Sequence, residues 1–356
     1  MSKSGANIAA FRQGLKDLAD WFERQKRVLP WRDEPSLYRV WISEIMLQQT
    51  QVVTVIPYFE RFLKAFPSVE ALAAAPEEDV LRAWAGLGYY SRARNLHRAA
   101  QRIVAAGRFP GDRAGWLEIP GVGEYTAGAI LSIALDQPEA ILDGNVERVL
   151  SRVWAADRAG GDAAYKQRLW KLSRGWVRAS HESGIRPSVT NQALMELGAT
   201  LCSPRKPKCL LCPLASICRA RKQDAQENYP PRKKPKEWIE VREEVHCVFD
   251  GRGRMLLHRR AKGQWRAGLW DFSETLPSPG LERLGAIERK LVVTRHKITR
   301  IAHVWRVRKE SEVLRASEGF HDSRWVLVAE PGLAVGASLK KTLQSIRESY
   351  PEVIGK

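Results

Sequence analysis

Two carboxylates in unlike settings, a glycine-rich turn and four clustered cysteines are the parts of this 356-residue sequence that can do chemistry. Glu44 lies in Trp41-Ile42-Ser43-Glu44-Ile45-Met46-Leu47, and on a helix its neighbours three and four positions away are Val40, Trp41, Leu47 and Gln48. Apolar company disfavours the ionised form, so the pattern predicts a carboxyl that keeps a proton near neutral pH. Asp143, in Leu142-Asp143-Gly144-Asn145, stands where a helical run begins. There it can accept hydrogen bonds from unpaired amides and is expected to stay ionised. Two carboxylates whose pKa values move in opposite directions can divide acid work from electrostatic stabilisation. The same Asp143 spacing also fits a plain connector with an N-capping residue, and Glu44 alone fits an ordinary helical glutamate. Asn145 is placed to steady Asp143 or a water.

Upstream of Asp143, Pro120-Gly121-Val122-Gly123 forms a turn between two segments of helical apolar pattern. Glycine reaches backbone conformations closed to other residues, so this suits a tight hairpin between helices. Its amides and the following helix N-terminus favour an anion such as a phosphate. Tyr125, two residues beyond, fits packing or a hydroxyl near a reacting centre.

Four of the five cysteines follow the spacing Cys202-x6-Cys209-x2-Cys212-x5-Cys218. Four thiolates this close suit a structural zinc or an iron–sulfur cluster, and the spacing by itself leaves both open. The intervening 203–208 stretch carries Arg205, Lys206 and Lys208, as a phosphate-contacting loop would. Cys247 reads as a buried strand residue.

The elements that must position these groups fall into three parts. Residues 8–220 carry helical periodicity, with Pro57 expected to open a helix at its first turn. Residues 221–237, RKQDAQENYPPRKKPKE, are proline-rich and charged, a linker composition. Residues 238–356 predict an α+β domain. It has a β-hairpin at 245–258, strand-like pieces at 291–294, 301–307 and 324–328, and a closing helix near 338–348. The net charge of +18 makes a polyanion the leading partner class. No apolar run approaches the roughly 20 residues of a membrane span, and the N-terminus lacks a secretory apolar core. A cytoplasmic, reducing location is therefore expected, which argues against disulfides.

The Pro-Gly-Val-Gly turn, the aspartate after it and the cysteine spacing together resemble the helix–hairpin–helix DNA glycosylases with a [4Fe–4S] cluster, over residues 20–220. Within that group, Trp41 to Gln51 resembles the adenine DNA glycosylases of the MutY type, which remove adenine mispaired with 8-oxoguanine. The resemblance implies a mainly α catalytic region of two helical subdomains (8–220, cluster loop 202–218) and a linker at 221–237. A Nudix-like α+β lesion-recognition domain follows at 238–356. It implies a monomer that meets duplex DNA containing A:8-oxoguanine or A:G mispairs, with Cys202, Cys209, Cys212 and Cys218 holding the cluster. Action on the chromosome would associate the protein with the nucleoid.

By the same resemblance Glu44 is the general acid that protonates N7 of adenine, and Asp143 faces the sugar as an oxocarbenium-like state forms. Tyr125 stands where strand-nicking relatives carry a Schiff-base lysine, which implies a monofunctional enzyme. Gln49 and Tyr89 would wedge the duplex, Arg32 and Gln192 would line the adenine pocket, and Gly121 and Gly123 would lie at the phosphate. In the second domain, Gly268 to Glu274 opens like a Nudix box. Glu282-Arg283-Leu284-Gly285-Ala286-Ile287 then stands where the acidic core belongs, so a reader of the lesion is expected and not a hydrolase. Aligning Thr294-Arg295-His296-Lys297 puts Ile298-Thr299-Arg300 on the family's Phe-Ser-His lesion loop, with Thr299 supplying the hydroxyl. The alternatives are a glycosylase for another mispair or damaged base, and a non-catalytic iron–sulfur DNA-binding protein.

Overall fold

The structure is a computed structural model describing residues 3–231, 237–261, 267–276, 281–293, 296–308, 322–329, 333 and 335–353. Residues 232–236 of the expected linker, and Thr294 and Arg295 of the aligned loop segment, lie outside the described residues. The chain divides into two compact units: 1–74 with 95–233, and 75–94 with 234–356. The second break falls within the 221–237 stretch. The assignment of 75–94 to the second unit is a tertiary feature that chain order does not suggest.

The helices are α1 (Lys3–Gln25), α2 (Leu37–Leu47), α3 (Val52–Ala65), α4 (Val69–Ala74), α5 (Glu77–Ala83), α6 (Tyr90–Ala105), α7 (Arg113–Leu117) and α8 (Glu124–Leu135). They continue with α9 (Gly144–Trp154), α10 (Gly161–Glu182), α11 (Pro187–Thr200) and the short α12 (Arg219–Lys222). The Ser36 hydroxyl accepts from the Arg39 amide to start α2, a side-chain cap for an orphan donor. Pro57 lies inside α3 and does not open a helix. The break comes earlier, at 48–51, where Gln49 takes φ +57.

Two helices are buried nearly all round, as core helices must be. In α2, Tyr38 and every residue from Val40 to Met46 is buried, and Trp41 packs on Trp116 and Phe109 with ring centroids 6.1 and 6.4 Å away. In α8, residues from Thr126 to Ser132 are buried. Gly128 allows this helix to meet the chain at Ala140, whose carbonyl oxygen occupies the space a Cβ would need. That close approach brings α8 beside the segment leading into Asp143. Leu15, Leu18 and Phe22 of α1 close the core against Val149 and Leu150 of α9, Leu169 and Trp176 of α10, and Leu194 and Leu197 of α11.

Among its described residues the second unit carries six strands: β1 (Ile239–Phe249), β2 (Arg254–Arg259), β3 (Trp270–Asp271), β4 (Glu282–Val293), β5 (His296–Arg306) and β6 (Ser323–Leu327). The order is β3-β2-β1-β5-β4, with β6 also on β2. β1 runs parallel to β5, and β4 pairs antiparallel with β5 along its length. The expected hairpin is β1–β2, with Phe249 opposite Met255. Helix α13 (Ala337–Ser349) covers one face through Leu339 and Ile346, packed with Val245, Cys247 and Val304. Mainly α followed by α+β is thus the architecture. Strand β4 begins at Glu282 and not at 291, so the stretch where an acidic Nudix core belongs is a strand.

Candidate active site

Glu44 projects from α2 into a cavity of about 550 Å³ that is also lined by Arg32, Gln48, Gln49, Tyr125, Asp143, Asn145 and Gln192. The Tyr125 hydroxyl, from the first turn of α8, donates to Glu44 Oε2 at 2.7 Å and lies 3.4 Å from Met195 Sδ. Glu44 is 4% exposed. Burial raises its pKa from the ordinary 4.5 to about 7, with the Asp143 charge adding to the rise and Tyr125 and Arg32 opposing it. Burial likewise drives the Tyr125 phenol well above its usual range, with the charges of Glu44 and Asp143 adding to it.

Asp143 caps α9, accepting from the Val146 amide at 2.7 Å and from Asn145 Nδ2 at 3.2 Å. The sequence predicts a carboxyl that moves opposite to that of Glu44, and the structure shows that it does not. Burial raises it too, and the amide and Asn145 hydrogen bonds, with Arg148, recover only part of the difference. The helix-terminal position supplies donors to the carboxylate, but the cavity wall removes water from it, and the second effect is larger. Asn145 in turn accepts from Arg148 Nη2 at 2.7 Å through Oδ1. Arg148 also reaches the carbonyls of Gly198 and Cys202, each at 2.7 Å.

Arg32 and Gln192 are brought together, with Arg32 Nε donating to Gln192 Oε1 at 3.0 Å. Two residues that sequence reasoning missed stand behind them. Glu196, buried on α11, accepts from Arg32 Nη2 at 2.8 Å and from Arg27 Nε at 2.5 Å. The signal was present: Glu196 is a carboxylate amid Leu194, Met195 and Leu197, the same apolar context that singles out Glu44.

Gln49 lines the cavity, whereas Tyr89 belongs to the second unit, 41% exposed, with the Arg92 guanidinium 5.3 Å from its ring centroid. Both take a left-handed backbone, φ +57 and +50. Such conformations cost non-glycine residues energy and concentrate at functional sites. In the hairpin, Gly121 has φ +82 and presses on Asn95, whose Cβ would be 2.9 Å from an added Cβ. Gly123 caps α8 without a side chain and faces open space, which leaves the first amides of α8 to an external acceptor.

The four clustered cysteines line one small cavity together with Val149, Arg152 and Leu197. Arg152 Nη1 donates to Cys202 Sγ at 3.3 Å and to the Ser203 carbonyl at 2.7 Å. Burial pushes the Cys212 thiol up to about 12, and the other three sulfurs add to the rise. Among the described residues no three His, Cys, Asp or Glu converge on a single metal-ion position. The described residues also contain no helix long and apolar enough to cross a membrane.

Ile298-Thr299-Arg300 is not a loop. It lies within β5, where Thr299 stands opposite Arg242 of β1 and Lys290 of β4. Arg300 is fully buried, paired with Glu243 at 2.8 Å and Asp271 at 2.9 Å. Ile298 is buried as well. Alternation along the strand turns residues 298 and 300 inward, so the triplet cannot present a lesion-reading tip there.

Residues 42–174 match the family described as HhH-GPD superfamily base excision DNA repair protein. Within it, the curated relatives are adenine DNA glycosylases, which is the MutY-type resemblance read from the motifs. The human one is 45% identical over 233 residues, covering 62% of this chain and 41% of its own. That of Buchnera aphidicola subsp. Schizaphis graminum is 40% identical over 222 residues, covering 62% of each chain. The Arabidopsis thaliana protein is 36% identical over 305 residues, covering 73% of this chain and 47% of its own. The chain thus spans less than two thirds of the length of these relatives. Among solved structures, a thermostable thymine-DNA glycosylase aligns over 62% of this chain and all of its own, with TM-score 0.53 and 26% identity.

Proposed function

We propose that this protein is a monofunctional adenine DNA glycosylase that hydrolyses the N-glycosidic bond of adenine mispaired with 8-oxoguanine, and also with G or C, in duplex DNA. The observation that carries the reading is the buried Glu44 carboxyl, hydrogen-bonded to Tyr125 and facing Asp143 across one cavity. A carboxyl with a pKa of about 7 is half protonated at neutral pH, the condition a general acid needs. Glu44 gives its proton to N7, the C1′–N9 bond breaks, and adenine leaves neutral. Asp143, held by the Val146 amide and Asn145, offsets the positive charge that develops at C1′. Glu44, now ionised, accepts a proton from the water whose oxygen bonds C1′, and is ready for another turn. Tyr125 carries no amine, so no Schiff base forms and the product is an abasic site.

Gln49 and Tyr89 wedge the duplex while the adenine turns out of the stack, the hairpin amides at Gly121 and Gly123 meet a phosphate, and Arg32 and Gln192 line the base pocket. Cys202, Cys209, Cys212 and Cys218 would hold a [4Fe–4S] cluster. Four thiols lining one small cavity supply the four thiolates such a cluster takes. With the four thiolates tied to it, the basic 203–208 stretch between Cys202 and Cys209 would be held for phosphate contact. The protein acts as a monomer on chromosomal DNA.

The burial of Ile298 and Arg300 favours a second reading on one point, adenine removal with little preference for 8-oxoguanine through this segment. Purified protein with A:8-oxoguanine, A:G and A:C duplexes, followed by alkali cleavage, tests both. Release of adenine supports the enzyme, the rate ratios report the lesion preference, and duplex binding without release rejects the reading.

A further inference from the structure

Each of the three guanidinium nitrogens of Arg32 donates a hydrogen bond. Nε donates to Gln192 Oε1 at 3.0 Å, Nη1 to the Arg27 carbonyl at 2.9 Å, and Nη2 to Glu196 Oε2 at 2.8 Å. Gln192 is equally constrained: its oxygen is taken by Arg32 and its nitrogen donates to the Ser188 carbonyl at 3.3 Å. Flipping the amide would lose both bonds, so its orientation is set by the Arg32 fork. The fork in turn depends on Glu196, which Arg27 grips through Nε at 2.5 Å and Nη2 at 3.1 Å.

The Glu196 side chain is 1% exposed, against 14% for Arg32 and 40% for Arg27. Its helix neighbours Leu194 and Leu197 are fully buried, so an apolar side chain would suit the position. A buried ion pair is seldom worth more to stability than apolar packing of similar volume. A carboxylate at this place therefore calls for an explanation other than packing, and the direction of Arg32 supplies one.

Resting on the adenine glycosylase reading, we infer that Glu196 is a positioning residue of the base pocket. Braced by Arg27, it holds Arg32, and through Arg32 the Gln192 amide, in the one orientation that reads the edge of adenine. Arg27, Arg32, Gln192, Glu196 and Glu44 line the same cavity, so a shift in Arg32 also alters the surroundings of the acid. A site that pairs its polar groups with a base discriminates against bases lacking the matching atoms, and loses that discrimination when its groups are free to turn.

The test is the selectivity of Glu196→Gln, which keeps the volume and removes the charge. Single-turnover release is measured from duplexes carrying adenine, or purine without the 6-amino group, opposite 8-oxoguanine. The adenine-to-purine rate ratio is expected to fall at least about fivefold from wild type, with adenine release itself down about 10- to 100-fold. Glu196→Asp, which restores the charge, is expected to recover part of the ratio. Equal loss on both bases, or an unchanged ratio, overturns the inference. If Glu196→Gln does not fold by circular dichroism, Arg27→Gln answers in its place, since it removes the brace and leaves Arg32 paired. Its ratio is expected to move in the same direction by a smaller factor, and no movement overturns the inference. Wild type that releases no base at all rejects the enzyme reading itself, which is a distinct outcome.

Discussion

The Tyr125 hydroxyl and the Glu44 carboxyl, 81 residues apart in the chain, meet at 2.7 Å in the wall of one cavity. The phenol donates to Oε2, which leaves Oε1 as the oxygen that can carry a proton toward a bound base. Because the hydrogen bond favours the anion and burial disfavours it, the two together set the carboxyl near neutrality, not far above it.

Glu44 gives the reaction its pH dependence. The protonated form is the active one, so the single-turnover rate is expected to fall as pH rises through about 7. Stability moves the same way. The folded pKa lies above the ordinary 4.5, so this contribution is fully present below 4.5 and is lost as pH climbs to about 7, a change of about 3 kcal/mol. Glu44→Gln is expected to slow base release by about 10²- to 10⁴-fold and to flatten that part of the stability profile. Denaturant melts across pH check it.

Asp143→Asn keeps the cap on α9, since asparagine caps a helix as well as aspartate does. Folding and duplex binding are expected to stay near wild type while base release drops by about 10²-fold or more. Near-normal excision by this variant would contradict the role given to Asp143.

Tyr125 separates two chemistries. Wild type with a mispaired duplex and borohydride is expected to give no covalent adduct. Tyr125→Phe removes a donor to the Glu44 anion, so the falling limb of the pH–rate profile is expected to move to higher pH. Efficient trapping of wild type, or a limb that moves down, would refute these statements.

Gly198 on α11 is a packing test of the same site. A Cβ there would lie 2.6 Å from Asn145 Cβ and 3.0 Å from its backbone. Gly198→Ala is expected to displace Asn145 and with it Asp143, lowering stability by about 1–3 kcal/mol and slowing release more than it weakens binding. A variant with wild-type melting and kinetics would show that α11 yields at no cost.

The four cysteines make a spectroscopic prediction. Protein purified without oxygen is expected to be brown, with absorbance near the visible blue and about four irons per chain. Cys209→Ser is expected to lose that absorbance and most DNA binding. A colourless protein that carries zinc would reject the cluster.

Much of this molecule is determined locally, and for a stated reason in each case. The apolar surroundings of Glu44 lie within one turn on either side, so its burial and raised pKa are legible from four neighbours. Asp143 as a cap, the glycine turn at Gly121 and Gly123, and the cysteine spacing are short-range signals of the same kind. Tertiary structure decided what depends on distant partners. It set Tyr125 against Glu44, and it brought Arg27 and Arg32 to Glu196 across more than 160 residues. It also placed residues 75–94, with Tyr89, in the second unit. Two expectations failed for that reason. Its helix end alone predicts an ionised Asp143, but the cavity that dehydrates it is built by α2, α8 and α11. The aligned motif predicts a loop at Arg300, but Glu243 and Asp271, 57 and 29 residues away, hold it inside the sheet. Desolvation and ion pairing are set by whatever the fold brings near, and residue spacing carries no information about that.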